Sequence, residues 1–167
     1  SSFGLSRVDG PDEWAAAVEK ALSIDERAIA ERFVDGVEIT VGILHGRTLP
    51  VLEIVPPGDR VFDTDAKYDH KMGHTKYFCP PRSVSAVDCA RASELALALY
   101  NASGARDLLR VDMIVDSDGV PWVLEGNTIP GFTATSLLPK AAAEAGISFT
   151  ELCALLAFSA IQNNDQV

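Results

Sequence analysis

Two short apolar runs separated by Asp116-Ser117-Asp118-Gly119 constrain this chain more than any other stretch. A Gly-ended polar turn between runs of Val, Met, Ile, Trp and Leu predicts a β-hairpin. With a four-residue loop, Ser117 to Val120, Asp116 faces Pro121. Counting outward, Asp112 then faces Glu125, and Arg110 faces Asn127. Side chains alternate along a strand, so these four polar groups share one face. Val111, Met113, Val115, Trp122 and Leu124 are expected on the other face, pointing to a core. Two carboxylates directly opposite each other repel. A sheet keeps such a pair for a cation, for a shared proton, or because both are solvated, and an exposed hairpin edge dotted with charge has the same pattern. A slip of one residue would split the group.

Hydrophobic residues make up 47% of the 167, enough for a core in one or two domains. The net charge is −10 and the pI about 4.6. That balance argues against a nucleic-acid partner held by phosphate contacts, but not against a nucleotide, for which a few local cations and a metal suffice. Cys79, Cys89 and Cys153 are scattered, with no zinc spacing and no disulfide framework, so a reducing, cytoplasmic setting is expected. No apolar run approaches the ~18 residues of a membrane span, and no signal peptide is recognised; no membrane partner is expected.

Taken in order, Ser1 to Ser6 is rich in small residues and fits either a frayed terminus or an anion-facing turn. Gly10-Pro11-Asp12-Glu13 opens a helix, with Trp14, Val18, Ala21 and Leu22 along one stripe. Arg27–Val34, Glu38–Leu44 and Thr48–Val55 read as three strands of an antiparallel meander, turning at Asp35-Gly36 and His45-Gly46. The long stretch 56–81 lacks a period. Loops of that length in compact domains are functional or disordered. It carries Lys67-Tyr68, and also His70 and His74, whose spacing beside Gly73 does not favour a metal site. Ser85 and Asp88 form a capping box for a helix through Ala102, with Ala92, Leu95 and Leu99 as its apolar stripe and Gly104 as its stop. Ser136 is a candidate N-cap for a short Ala-rich helix ending near Gly146. Ser148-Phe149-Thr150-Glu151 opens a final apolar helix. The cysteines, Trp14 and Trp122 read as core or filler.

Asp112, Glu125 and Asn127 offer only hard oxygen donors, which suits Mg²⁺ or Mn²⁺ rather than zinc. Mg²⁺ takes one or two carboxylates, keeps waters and completes its shell with substrate phosphates, so the trio suggests a nucleotide with its phosphates over the hairpin. Arg110 on the same face could stabilise charge developing on phosphoryl or tetrahedral oxygens. Gly131 would let a backbone N–H approach that centre, and Lys67 could close over the phosphates.

The run from Arg110-Val111-Asp112-Met113 to LEGNTIPGFTATSLLPKAA resembles the C-terminal signature of D-alanine–D-alanine ligases, in the ATP-grasp superfamily. SSFGLS is similar to the tail of the family's phosphate loop, and Ala30 to Glu38 to its adenine-binding strand and turn. Asp65-Ala66-Lys67-Tyr68 is similar to its closing loop, and Tyr77-Phe78-Cys79-Pro80 to the strand after it. The resemblance runs from Ser1 to about Ala160. It implies an α+β fold, the ATP-grasp C-terminal domain with an antiparallel sheet and flanking helices.

It also implies roles, position by position. Asp112, Glu125 and Asn127 match metal ligands, normally for two Mg²⁺ per site. Arg110 and the N–H of Gly131 match oxyanion stabilisers. Ser136 and Leu137 match the group that holds the carboxylate of the second D-alanine. Glu31, Arg32, Phe33 and Val34 match the segment that reads adenine, Glu38 the ribose contact and Lys67 a phosphate ligand. Tyr68 and Ser1 match a pair that latches the loop. The implied reaction is ATP-dependent ligation of two D-alanines through an acyl phosphate, for peptidoglycan precursor synthesis. Metal charge and positioning would carry its first step and proximity much of the second.

Three departures bear on this. Gly126 stands where the family usually has a small branched or apolar residue. The Asp69–Thr75 loop is longer and more charged than the family pattern. The whole 167-residue chain reads as a partial ATP-grasp domain that begins inside the phosphate loop, without the family's N-terminal domain, so the chain by itself is expected not to turn over. A binding module without activity is the alternative, as are D-lactate, D-serine or other carboxylate–amine ligases; Tyr68 beside Lys67 favours the dipeptide. The family's homodimer contact usually involves the N-terminal half.

Overall fold

The computed structural model describes residues 3–56 and 75–164. Ser1, Lys67, Tyr68, His70 and His74 lie outside them. The chain divides into two compact units, Ser1–Val34 with Pro56–Lys76, and Asp35–Val55 with Tyr77–Val167.

The first unit is built on helix α1, Pro11–Leu22. Pro11 stands in its first turn, where a missing N–H costs nothing, and Asp12 and Glu13 sit near the positive end of the helix dipole. Glu13 reaches back to accept from the Asp9 N–H at 2.9 Å, and Lys20 donates to the Leu5 carbonyl at 3.0 Å. The guanidinium of Arg7 lies 4.1 Å over the Phe33 ring. Residues 27–35 form no strand, contrary to the expectation for Arg27–Val34. Strand propensity is realised only against a partner. Among the described residues no ladder pairing is assigned to this run, and Ile29 is 87% exposed.

The second unit is one sheet with helices on both faces. Its strands are β1 (Val37–Leu44), β2 (Arg47–Thr48), β3 (Leu52–Val55), β4 (Lys76–Phe78, whose first residue groups with the first unit), β5 (Leu108–Val115) and β6 (Pro121–Asn127). They run in the order β4-β3-β1-β5-β6, with β2 also paired to β1. The pairings of β1 with β2, β3 and β5, and of β5 with β6, are antiparallel. The strand expected over Thr48–Val55 is split. Thr48 pairs with Ile43 but Glu53 with Ile39, one residue out of step, and the slack falls at Leu49-Pro50-Val51. Pro50 cannot donate to a ladder, so the break falls where the pairing would lose a bond.

Strand alternation then sorts the side chains. Ile39, Val41, Ile43, Leu109, Val111, Met113 and Val115 form one buried cluster with Ala92 and Ala96 of helix α2, Ala86–Ser103. Each large side chain among them is worth about 1.5–3 kcal/mol on burial. Helix α2 starts as its capping box predicts. Ser85 Oγ accepts from the Asp88 N–H at 3.1 Å, and Gly104 ends the helix at φ 67°. Its fully buried residues are Ala92 and Ala96, with Leu99 partly buried against the same cluster, whereas Leu95 is 37% exposed. On the opposite face, helices α3 (Leu137–Glu144) and α4 (Phe149–Asn164) cover one end. Leu138, Ala141, Ala142 and Leu152 pack there with Leu44, Leu49 and Leu52. The rest of that face carries the polar residues described below.

Glu53, although buried, is not idle. Its carboxylate accepts from the Arg82 N–H at 2.5 Å, the Ser83 N–H at 2.9 Å and the Ser83 hydroxyl at 2.7 Å, pinning the segment that leads into α2. Burial pushes its pKa up, but the Ser83 and Arg82 hydrogen bonds and the Arg82 charge outweigh that and hold it below the usual glutamate range. Gly36 fits a backbone crossing. A Cβ there would lie 2.2 Å from the Val115 carbonyl oxygen, so only glycine lets the start of β1 approach the end of β5 this closely. No single helix among the described residues is long and apolar enough to cross a membrane.

Candidate functional site

Arg110 and Asp112 stand on β5, Glu125 and Asn127 on β6, and Arg110 pairs with Asn127 as Asp112 pairs with Glu125. The expected shared face is therefore present, though the route to it differs. The turn places Val115, not Asp116, opposite Pro121, and Met113 opposite Val123. A bulge between Asp112 and Met113 then absorbs Leu124 and restores the register at the polar pair. Asp116 belongs to the turn instead. Its carboxylate accepts from the Asp118 and Val120 N–H groups at 3.0 and 2.9 Å and from the Trp122 indole at 2.8 Å. One consequence corrects the sequence reading. Trp122 now pairs with Ile114 on the polar face, and Trp122 and Leu124 are 37% and 41% exposed rather than core. Trp14 is likewise half exposed.

The polar face is tightly knit. Arg110 Nε donates to Asp112 Oδ1 at 2.9 Å and its Nη2 to Oδ2 at 2.7 Å, a bidentate pair. Nη2 also lies 3.9 Å from Glu125 Oε1. Asn127 Nδ2 donates to Asp112 Oδ2 at 3.3 Å and to Glu125 Oε1 at 2.9 Å. Thr40, which sequence reasoning passed over, completes the group from β1. It pairs with Asp112, is 1% exposed and donates to Asp112 Oδ1 at 2.7 Å. Nothing local marks Thr40 in the sequence, since its importance rests on the β1–β5 register. Glu38, two residues earlier on the same face of β1, pairs with Ile114.

A second cluster precedes α3. Ser136 is the N-cap by position, yet its hydroxyl makes no cap bond. It accepts from the Thr133 N–H at 3.0 Å and lies 2.9 Å from the Thr133 hydroxyl, which is 3.2 Å from that of Thr135. A Cβ on Gly131 would come within 3.2 Å of Ser136 Oγ, so Gly131 and Ser136 are neighbours. Leu137 opens the helix behind them. Glu31, Arg32, Phe33 and Val34 fall in the first unit, apart from this sheet in chain grouping.

The donor set fits a hard divalent cation. Asp112 and Glu125 supply carboxylate oxygens, Asn127 an amide oxygen, and the Arg110 guanidinium resting between the carboxylates shows that the pair accepts positive charge. No cluster of three or more His, Cys, Asp or Glu side chains exists among the described residues. A bound ion would therefore rely on ligands from water and substrate, as Mg²⁺ does.

A sheet with helices on both faces, holding two apposed carboxylates, an amide and a guanidinium on one strip, defines an α+β domain with a candidate site of hard oxygen donors. The family model described as D-ala D-ala ligase C-terminus matches residues 1–157, and the chain belongs to that family. It is 43% identical over 152 residues to the D-alanine–D-alanine ligase of Magnetococcus marinus, covering 91% of this chain and 48% of that protein. The solved D-alanine–D-alanine ligase of Bacillus anthracis superposes with a TM-score of 0.83 at 34% identity, over 99% of this chain and 53% of that one. Its complex with ATP superposes at 0.74 with 28% identity, over 94% and 49%. The chain spans about half the length of the curated relatives it matches.

Proposed function

We propose that this chain carries the ATP, Mg²⁺ and second-substrate half of a D-alanine–D-alanine ligase. The observation that carries the reading is the strip of Arg110, Asp112, Glu125 and Asn127 on one sheet face, in a chain of this family. The fold match to a relative solved with ATP supports the nucleotide. Asp112, Glu125 and Asn127 would hold Mg²⁺ or Mn²⁺, which when bound supplies positive charge for the phosphates. Glu31, Arg32, Phe33 and Val34 would read the adenine, Glu38 the ribose and Lys67 the phosphates. Ser1 and Tyr68 would latch the loop.

In this reading the γ-phosphoryl group of ATP passes to the carboxylate of one D-alanine, giving an acyl phosphate and ADP. The amine of a second D-alanine attacks that carbonyl, and phosphate leaves. Arg110, held by its bidentate bond to Asp112, presents a fixed planar cation to the developing oxyanion, together with the Gly131 N–H. Removing such a donor costs on the order of 100-fold in rate or more. Ser136 and the start of α3 would receive the carboxylate of the second D-alanine, where the helix dipole favours negative charge. In the whole ligase the protein would act in the cytoplasm as a homodimer.

Calorimetric titration of the chain with ADP, with Mg²⁺ and then with EDTA, tests this. Binding should require, or be strongly tightened by, the metal, and D112N should abolish the difference. Equal affinity in both buffers would contradict the proposal.

A further inference from the structure

We infer that Thr40 is a positioning residue for the metal-binding carboxylate, an inference that rests on the reading of Asp112 as a ligand. Thr40 lies in β1, outside the hairpin that supplies every other member of the polar strip. It is 1% exposed, yet carries a hydroxyl into the sheet. That hydroxyl has one proton and two acceptors within reach, Asp112 Oδ1 at 2.7 Å and the Val111 carbonyl at 3.3 Å. The shorter contact is to the charged oxygen, and charge-assisted bonds are the stronger, so the proton goes to Asp112.

The bond has a geometric consequence. Arg110 and Asn127 approach Asp112 from its own hairpin, Arg110 from two residues along the same strand and Asn127 from the facing one. Thr40 approaches from the neighbouring strand and is buried, so its position is fixed by the β1–β5 ladder, in which it pairs with Asp112. A β-branched side chain in a strand is also restricted at χ1. Thr40 therefore sets the plane of the carboxylate whether or not Arg110 stays on it. Outer partners that orient a ligand in this way typically change metal affinity by about 10- to 100-fold when removed.

The test measures Mn²⁺ affinity by electron paramagnetic resonance in the presence of ADP, and ADP affinity without metal, on wild type, T40S and T40V. Mn²⁺ binding to T40V should weaken about tenfold or more. T40S keeps the hydroxyl and should rescue it to within about twofold, and metal-free ADP binding should not change. If T40V binds Mn²⁺ as wild type does, or loses metal-free ADP affinity by the same factor, the positioning role is overturned. If wild type itself binds no Mn²⁺, the ligand reading beneath it fails as well. Should T40V not fold, the Thr40 hydroxyl proton is followed by NMR in wild type. Protection from exchange that is lost in D112N supports the role, and a freely exchanging proton overturns it.

Discussion

Asp112 accepts from three side chains at once, Thr40, Arg110 and Asn127, and so holds the strip together electrostatically. The Arg110 and Asp112 side chains keep only 17% and 12% of their surface. An Asn at 112 would leave the guanidinium, largely out of water, with only the more distant and exposed Glu125 carboxylate as counter-charge. D112N should therefore lower stability by about 1–3 kcal/mol, read from urea unfolding, besides removing the metal response. Gly36 makes a sharper case. Any side chain there meets the Val115 carbonyl, and G36A should cost about 1–3 kcal/mol through forced backbone movement. A loss under about 0.5 kcal/mol would mean the two strands can part at no cost. Neither residue announced its role in the same way. Asp112 could be read from the hairpin pattern, because period-two alternation brings i and j together across a turn. Thr40 and Gly36 act on residues more than seventy positions away, and no local pattern encodes that pairing.

Among elements, the hairpin shows how a wrong turn and a right site coexist. The polar turn and alternating runs placed β5 and β6 correctly, but the loop is longer than expected because the Asp116 carboxylate captures two backbone N–H groups and the Trp122 indole. Leu124 bulges and returns the register at Glu125. Turn chemistry and bulges are decided by such local bonds, which residue type alone does not reveal. Helix ends were more legible. The Ser148–Glu151 box closes in both directions, and at Ser85 the hydroxyl caps the Asp88 N–H while the Asp88 carboxylate accepts from that hydroxyl, because capping is short-range chemistry. S85A should cost about 1 kcal/mol. The missing strand at 27–35 failed for the opposite reason, since a strand is defined by its partner. Glu53 also acts at this scale, joining β3 to the entry of α2. Its folded pKa is depressed, so the unfolded chain binds the proton more readily. Its stabilisation is complete above the ordinary glutamate pKa of about 4.3 and is lost as pH falls through the lower folded value. E53Q should flatten the acid limb of the stability profile while leaving its slope near neutral pH unchanged.

At the scale of the whole molecule, the sheet divides its labour by face. One face is sealed by α2 and the apolar residues of β1 and β5. The other is closed at one end by α3 and α4 and carries the polar strip beyond them. The α+β domain with an antiparallel sheet was expected from the family resemblance, and the alternation of apolar and polar residues along β5 marked which face meets the core. The family match covers residues 1–157. Two of the three thiols follow the fold too. Burial pushes the Cys79 and Cys89 thiols up, and nearby carboxylates add to this, whereas Cys153 is exposed. A disulfide reagent at neutral pH should modify Cys153 first, and equal rates at all three would indicate a looser sheet–helix packing than described. The central claim is that the Asp112–Glu125–Asn127 strip receives a divalent cation together with the nucleotide phosphates. A crystal of the chain grown with Mn²⁺ and a non-hydrolysable ATP analogue tests it most directly. The account predicts an anomalous peak bonded to Asp112 and Glu125, with phosphate oxygens completing the shell. A manganese peak elsewhere, with the phosphates away from the strip, would contradict it.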